Sequence, residues 1–157
     1  MYLNMRYEKR FRSETWIPKP VEEVFSFFSD AKNLEKITPP FLNFKVLSQS
    51  TEKIQEGTIF DYQLKVRGIP LKWRSRIQDW ARNQHFVDTQ LKGPYAKWVH
   101  LHKFISEDGG TRMIDQVDYA LPLGLLGRIA AGWYVDRDVK KIFEYREKVI
   151  HDYFGKA

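Results

Sequence analysis

Between Phe44 and Leu121 the apolar residues of this chain fall into six short runs of period two, and a helical stripe long enough to cover a sheet follows. Few architectures accept that order. The runs are Phe44–Ser50, Thr58–Arg67, Leu71–Ala81, His85–Leu91, Lys97–Ser106 and Thr111–Leu121. Turn formers separate them: Gln55-Glu56-Gly57, Gly68-Ile69-Pro70, Arg82-Asn83-Gln84, Lys92-Gly93-Pro94-Tyr95 and Asp108-Gly109-Gly110. Short connections of this kind join neighbours as hairpins, so the runs predict an antiparallel meander. Pro70 and Pro94 are assigned to turns, because proline cannot donate to a central ladder.

The flanking segments complete the order. Tyr7–Trp16 reads as an opening strand, with Tyr7, Lys9, Phe11 and Ser13 on one side and Glu8, Arg10 and Arg12 on the other. Ile17-Pro18-Lys19-Pro20 stops it, and Pro20 opens a helix that carries Glu22 and Glu23 in its first turn and buries Val21, Val24, Phe25 and Phe28. That helix ends near Ser29. Asp30 then caps a second short helix carrying Leu34 and Ile37, which Pro39-Pro40 terminates.

At the other end Pro122-Leu123-Gly124 breaks the last strand. The apolar connector Leu125–Trp133, with Gly127 and Gly132 as flexible points, is short and either helical or irregular, and reads as a cavity lid, a membrane-touching segment or a packing element. A long helix from Tyr134 to Phe154, closed by Gly155, bears the stripe Val135, Val139, Ile142, Phe143, Val149, Ile150 and Tyr153 opposite Arg137, Lys140, Lys141, Glu144 and Lys148. The expectation is one α+β domain over residues 1–157: a seven-stranded antiparallel sheet with two short helices, one face covered by a long C-terminal helix.

Composition removes several functions. With no cysteine among 157 residues there is no disulfide, thiolate metal site or cysteine nucleophile. No phosphate loop, dinucleotide fingerprint or Gly-x-Ser-x-Gly elbow occurs. The net charge of +6 is spread through 26 basic and 20 acidic residues. Its densest cluster, Lys65, Arg67, Lys72, Arg74 and Arg76, lacks interleaved aromatic residues and reads as a solvated sheet face, so nucleic acid is not an expected partner. The N-terminus lacks the apolar run of a signal peptide and no stretch approaches the roughly 20 apolar residues of a membrane span, so a cytoplasmic location is expected, with at most peripheral membrane contact. An aromatic content of 15% is high for an aliphatic core and fits either core packing or a ring-lined pocket.

The motifs Trp16-Ile17-Pro18-Lys19-Pro20-Val21-Glu22-Glu23-Val24-Phe25, Phe28-Ser29-Asp30 and Asn33-Leu34-Glu35-Lys36-Ile37-Thr38-Pro39-Pro40 resemble the first strand and helix pair of bacterial members of the START-like superfamily. This superfamily is also called the SRPBCC or helix-grip fold and includes birch-pollen-allergen-like proteins and polyketide cyclases. Gly93-Pro94-Tyr95, Trp98-x-His100-x-His102-x-Phe104 and Gly110-Thr111 with Asp115, Val117 and Tyr119 are similar to a bacterial subgroup of ligand-binding, cyclase/dehydrase-like and cell-division-inhibitor-like proteins. The resemblance covers nearly the whole chain. It implies a hydrophobic cavity between sheet and long helix, with loops at one end forming its mouth. It does not imply a reaction, since the superfamily holds lipid carriers, hormone receptors and coenzyme-Q-binding proteins beside a minority of enzymes.

Strand alternation sets Trp98, His100, His102 and Phe104 on one face, and puts Met113, Asp115, Val117 and Tyr119, like Phe86, Asp88 and Gln90, on common faces of the neighbouring runs. His100 and His102 then lie between Asp88 and Asp115. Arg146 interrupts the apolar stripe of the long helix and, if buried, needs a partner. Asp88, Asp115 or a ligand's polar head would serve; otherwise its head reaches solvent. The candidate cavity set is His100, His102, Asp88, Asp115, Arg146, Trp98, Phe104, Tyr119, Tyr62 and Trp73.

Three readings of the cluster stay open. A carboxylate-oriented histidine can act as general acid or base in a cyclisation or dehydration, and a His-x-His pair with a carboxylate can hold zinc or iron. Alternatively the cluster is a hydrogen-bonded lining that orients a ligand. The sequence assigns no cofactor and no metal. The preferred reading is a binder of an apolar or amphipathic small molecule such as a lipid, quinone or polyketide-like compound, with a cyclase or dehydratase as the alternative.

Overall fold

A computed structural model describes residues 7–156. Its sheet has seven antiparallel strands in the order β1-β7-β6-β5-β4-β3-β2: β1 (Lys9–Ile17), β2 (Lys45–Gln49), β3 (Ile59–Val66), β4 (Ile69–Ala81), β5 (His85–Lys92), β6 (Lys97–Glu107) and β7 (Gly110–Ala120). β2 to β7 are joined in sequence as the expected meander, and β1 closes the far edge by pairing with β7, Phe11 opposite Val117. Two short helices, α1 (Val21–Phe28) and α2 (Ala31–Lys36), follow β1. The Asp30 side chain caps α2 by accepting from the Lys32 N–H at 2.9 Å, which satisfies one of the donors a helix start leaves unpaired. A short 3-10 turn, Pro40–Leu42, ends the helical segment.

The turn between β3 and β4 corrects the sequence reading. Arg67 and Gly68 form a two-residue hairpin, both at positive φ (52° and 80°), and Ile69 and Pro70 already belong to β4. In such a hairpin the pair beside the loop, Val66 and Ile69, exchanges both hydrogen bonds, and the next pair, Lys65 and Pro70, exchanges none. The missing N–H of Pro70 therefore points away from β3. On that side β5 does not reach it, since its first partner on β4 is Arg74. The neighbouring basic residues lie on an exposed face, where Arg74 holds Asp61 through two hydrogen bonds of 2.8 and 3.0 Å.

The connector is helical, but the long helix does not begin afresh at Tyr134. A single helix, α3, runs from Gly124 to Phe154 and includes the whole Leu125–Trp133 segment. Leucine, isoleucine, arginine and alanine sustain it, and the two internal glycines cost about 1 kcal/mol each without breaking it. Gly127 is required by contact: a Cβ there would run into the Pro122 carbonyl oxygen. The first turns of α3 leave Leu126, Ile129 and Trp133 mostly exposed. Further on, Val139, Phe143, Arg146, Ile150 and Phe154 face inward. The buried stripe ends on Phe154, while Tyr153, assigned to it from the sequence, lies mostly outside and touches Phe27 only with its ring.

α3 is fixed along its length. Phe143 stacks on Phe11 of β1 with ring centroids 4.6 Å apart, and Phe154 meets Phe27 of α1 at 5.0 Å. Near its start, Asp136 accepts from Lys9 Nζ at 2.9 Å, from Tyr119 Oη at 2.6 Å and from both terminal nitrogens of Arg128 at 2.9 and 2.6 Å. Burial works against the Asp136 charge, yet the hydrogen bonds from Arg128, Tyr119 and Lys9 hold its carboxyl below the usual range. A depressed folded-state value means stability that is present above the unfolded carboxyl's pKa and lost as pH falls. Asp136→Asn is therefore expected to lower the unfolding free energy by about 2 kcal/mol at pH 7, the size of a charged hydrogen-bond group. The gap to wild type should narrow in urea titrations repeated at pH 3, and an undiminished gap there would contradict this account.

Candidate functional site

Register brings the polar candidates together. Asp88 on β5 pairs with His100 on β6, and His102 pairs with Asp115 on β7. Each carboxylate bonds the diagonal histidine. His102 Nε2 donates to Asp88 Oδ2 at 2.8 Å and His100 Nε2 donates to Asp115 Oδ1 at 2.8 Å, since a carboxylate can only accept. The imidazoles overlap, with centroids 3.6 Å apart. β4 has an irregularity between Ile77 and Asp79, beside the Ile77–Asp88 pair, so the ladder is locally rearranged where Asp88 sits.

Arg146 enters from α3. Its Nε donates to Asp115 Oδ2 at 3.1 Å, and its Nη2 lies 3.2 Å from both Asp115 Oδ1 and His102 Nδ1. Its carbon Cζ stands 4.9 Å from the Phe28 ring centroid. The head does not reach bulk solvent: Arg146, Asp115, His100 and His102 are all buried.

Charge balance follows from this geometry. Two carboxylates face one guanidinium, so one further proton neutralises the cluster, and His102 lies between both carboxylates. Burial disfavours a charged His102, but its contacts with Asp115 and Asp88 outweigh that and raise its pKa. Burial, aided by neighbouring His102, pushes His100 down to about 4, so His100 is neutral at pH 7. Asp115 is buried as well, yet Arg146 and the two histidines hold its carboxyl well below the usual range.

The cluster forms part of the wall of a cavity of about 670 Å³ between the sheet, the two short helices and α3. Phe60, Tyr62, Leu64, Leu71 and Trp73 line it from β3 and β4, Trp98 from β6, and Val135, Ile142 and Phe143 from α3. Asp88, His100, His102 and Arg146 supply polar groups in this apolar chamber. Burial and the nearby Asp88 carboxylate raise the pKa of the Tyr62 phenol, which keeps it neutral at physiological pH. Arg67, Tyr134 and Asp138 also border the cavity: the Arg67 guanidinium lies 4.8 Å from the Tyr134 ring centroid and 3.5 Å from the Asp138 carboxylate.

Three sequence candidates do not line this space. Phe104 turns to α1, where it meets Phe25 at 5.3 Å and Phe28 at 5.7 Å. Tyr119 directs its hydroxyl to Asp136 and its ring to Trp98. Asp115 holds the histidines from behind, together with Arg146. Tyr95 and Phe143 line the cavity without having been singled out for it. Tyr95 was visible in the Gly93-Pro94-Tyr95 motif, and Phe143 in the helical stripe beside Arg146.

A seven-stranded antiparallel sheet gripping a long C-terminal helix defines the helix-grip class. Within it, the chain belongs to the polyketide cyclase / dehydrase and lipid transport family, whose model matches residues 17–144. Solved structures agree on the fold. The di-domain ARO/CYC StfQ from the steffimycin biosynthetic pathway is similar over 96% of this chain and 52% of its own, with TM-score 0.74 and 14% identity. An aromatase/cyclase from a Streptomyces species is similar over 92% of both chains, with TM-score 0.71 and 17% identity. A protein from Thermus thermophilus is similar over 90% of this chain and 97% of its own, with TM-score 0.69 and 17% identity. No curated protein sequence matches the chain.

Proposed function

We propose that the protein binds a hydrophobic or amphipathic small molecule, of lipid, quinone or polyketide-like character, and that the cluster of Asp88, His100, His102 and Arg146 orients its polar end. The observation that carries this reading is an apolar chamber of about 670 Å³ with one polar cluster in its wall, the usual composition of a site that takes affinity from apolar contact and orientation from a few polar groups. Arg146 supports it further. Nε and Nη2 are engaged, while Nη1 makes no hydrogen bond to any described residue, and Arg146 borders the cavity. A carbonyl, hydroxyl or carboxylate oxygen on the ligand would accept from it.

Native mass spectrometry of protein purified from its source tests the reading, with a bound mass expected and a consistently empty chamber counting against it. Leu71→Trp, at a half-buried lining position on β4, should remove most of that bound mass while costing no more than the roughly 1–3 kcal/mol typical of overpacking. If the variant retains wild-type occupancy, the molecule is not held in this cavity.

A second reading, a cyclase or dehydratase, is favoured by the short Asp88–His102 contact in the cavity wall, an arrangement able to accept and return a proton. It requires that His102→Gln abolish turnover and leave ligand affinity intact.

A further inference from the structure

Three residues that border the cavity present one ligand atom each within 4.8 Å of one another: Asp88, His100 and His102. The geometry points to a metal site at this triad, taking a divalent first-row cation of the zinc type, with the remaining coordination turned to the cavity. Asp88 Oδ2 is 2.8 Å from His102 Nε2 and 3.7 Å from His100 Nδ1. A tetrahedral zinc ion with bonds of about 2.0–2.1 Å has ligand atoms about 3.3 Å apart, a spacing these two distances bracket. The third edge, between the two imidazole nitrogens, is no longer than 4.8 Å, and movement of the Asp88 carboxylate and the imidazoles on binding would bring the three edges together.

The outer contacts match what a metal site needs. A metal-bound imidazole donates its other N–H to a carboxylate or carbonyl, which fixes the tautomer and aims the lone pair. Here one carboxylate serves both rings: Asp115 Oδ1 lies 2.8 Å from His100 Nε2 and 3.2 Å from His102 Nδ1. With N–H at these positions, which requires Arg146 Nη2 to give its hydrogen wholly to Asp115 Oδ1 and not to His102 Nδ1, the lone pairs of His100 Nδ1 and His102 Nε2 are left for the cation beside Asp88. Arg146 holds Asp115 through Nε and Nη2, so the carboxylate that orients both rings is itself fixed and does not compete for the ion. With both imidazoles neutral the cluster has two carboxylates against one guanidinium, a net negative charge that favours a cation. The metal takes the place of the His102 Nε2 proton, and water or an oxygen of the bound molecule completes its coordination.

The site does not depend on which apolar molecule fills the chamber, so the two proposals fail separately. An empty chamber in native mass spectrometry leaves metal uptake untouched, and absence of metal leaves apolar binding untouched. The test is titration of metal-stripped protein, purified without a histidine tag, with Co²⁺ followed by visible absorption, and then with Zn²⁺ as competitor. One Co²⁺ per chain is expected, with the intense bands of a four- or five-coordinate ion, displaced by Zn²⁺.

Asp88→Asn keeps an oxygen that accepts from His102 Nε2, so its fold can be checked by melting without metal; its Co²⁺ affinity should fall at least 100-fold. His100→Gln should behave alike. His85→Gln, which alters the exposed His85–Asp79 pair, should leave uptake unchanged. No Co²⁺ uptake by wild type, or equal affinity in Asp88→Asn and His100→Gln to that of wild type, overturns the assignment.

Discussion

Arg146→Met is expected to lower the unfolding free energy by about 3–5 kcal/mol, the range for removing one partner of a buried ion pair. For a chain of this length that corresponds to a fall in melting temperature of roughly 10–15 °C. Methionine fills much of the space of the arginine stem, so little of the loss should come from packing. What remains is the Asp115 carboxylate, buried, stripped of two charge-assisted hydrogen bonds and left with His100 and His102 as its only donors among the described side chains. Combining the substitution with Asp115→Asn should recover part of the stability, because the unpaired buried charge is then gone. A melting temperature unchanged in the single variant would show that the pairing contributes nothing.

The sequence made the topology legible because each device it uses is local. Period-two runs, turn formers and Asp30 at a helix start act within a few residues, and the sheet and helices follow from them. The meeting of Asp88, His100, His102 and Asp115 was legible for the same reason, since alternation sets the face and short hairpins set the neighbours. What failed depended on longer reach. Pro70 lies in a strand because of where β5 ends, which no signal near Pro70 states. The connector runs unbroken into the long helix with Gly127 set against the Pro122 carbonyl, a contact invisible to propensity. Phe104 shares a face with the histidines, yet a face is not a destination: α1 covers the Phe104 end and the cavity lies beside the His100 end.

That division of one strand face gives the remaining large prediction. Phe104 and Phe143 are both buried rings, and either change to alanine should cost about 3–5 kcal/mol from lost transfer energy and the hole left behind. Their effects on binding should diverge. Phe104 is wedged among Phe25, Phe28 and Phe86, so its loss loosens the contact of α1 with the sheet and the backing of two lining rings, Phe28 and Phe86, but takes no group from the chamber surface itself. Phe143 lines the chamber, stacks on Phe11 and meets His100 edge-on at 5.4 Å. Its loss enlarges the cavity beside the polar cluster and frees the His100 ring, so affinity for the molecule that copurifies should fall by tenfold or more. Measured below both melting transitions, equal affinities for Phe104→Ala and Phe143→Ala would mean that the bound molecule does not touch the α3 wall, and the chamber between sheet and helix would lose its claim as the binding site.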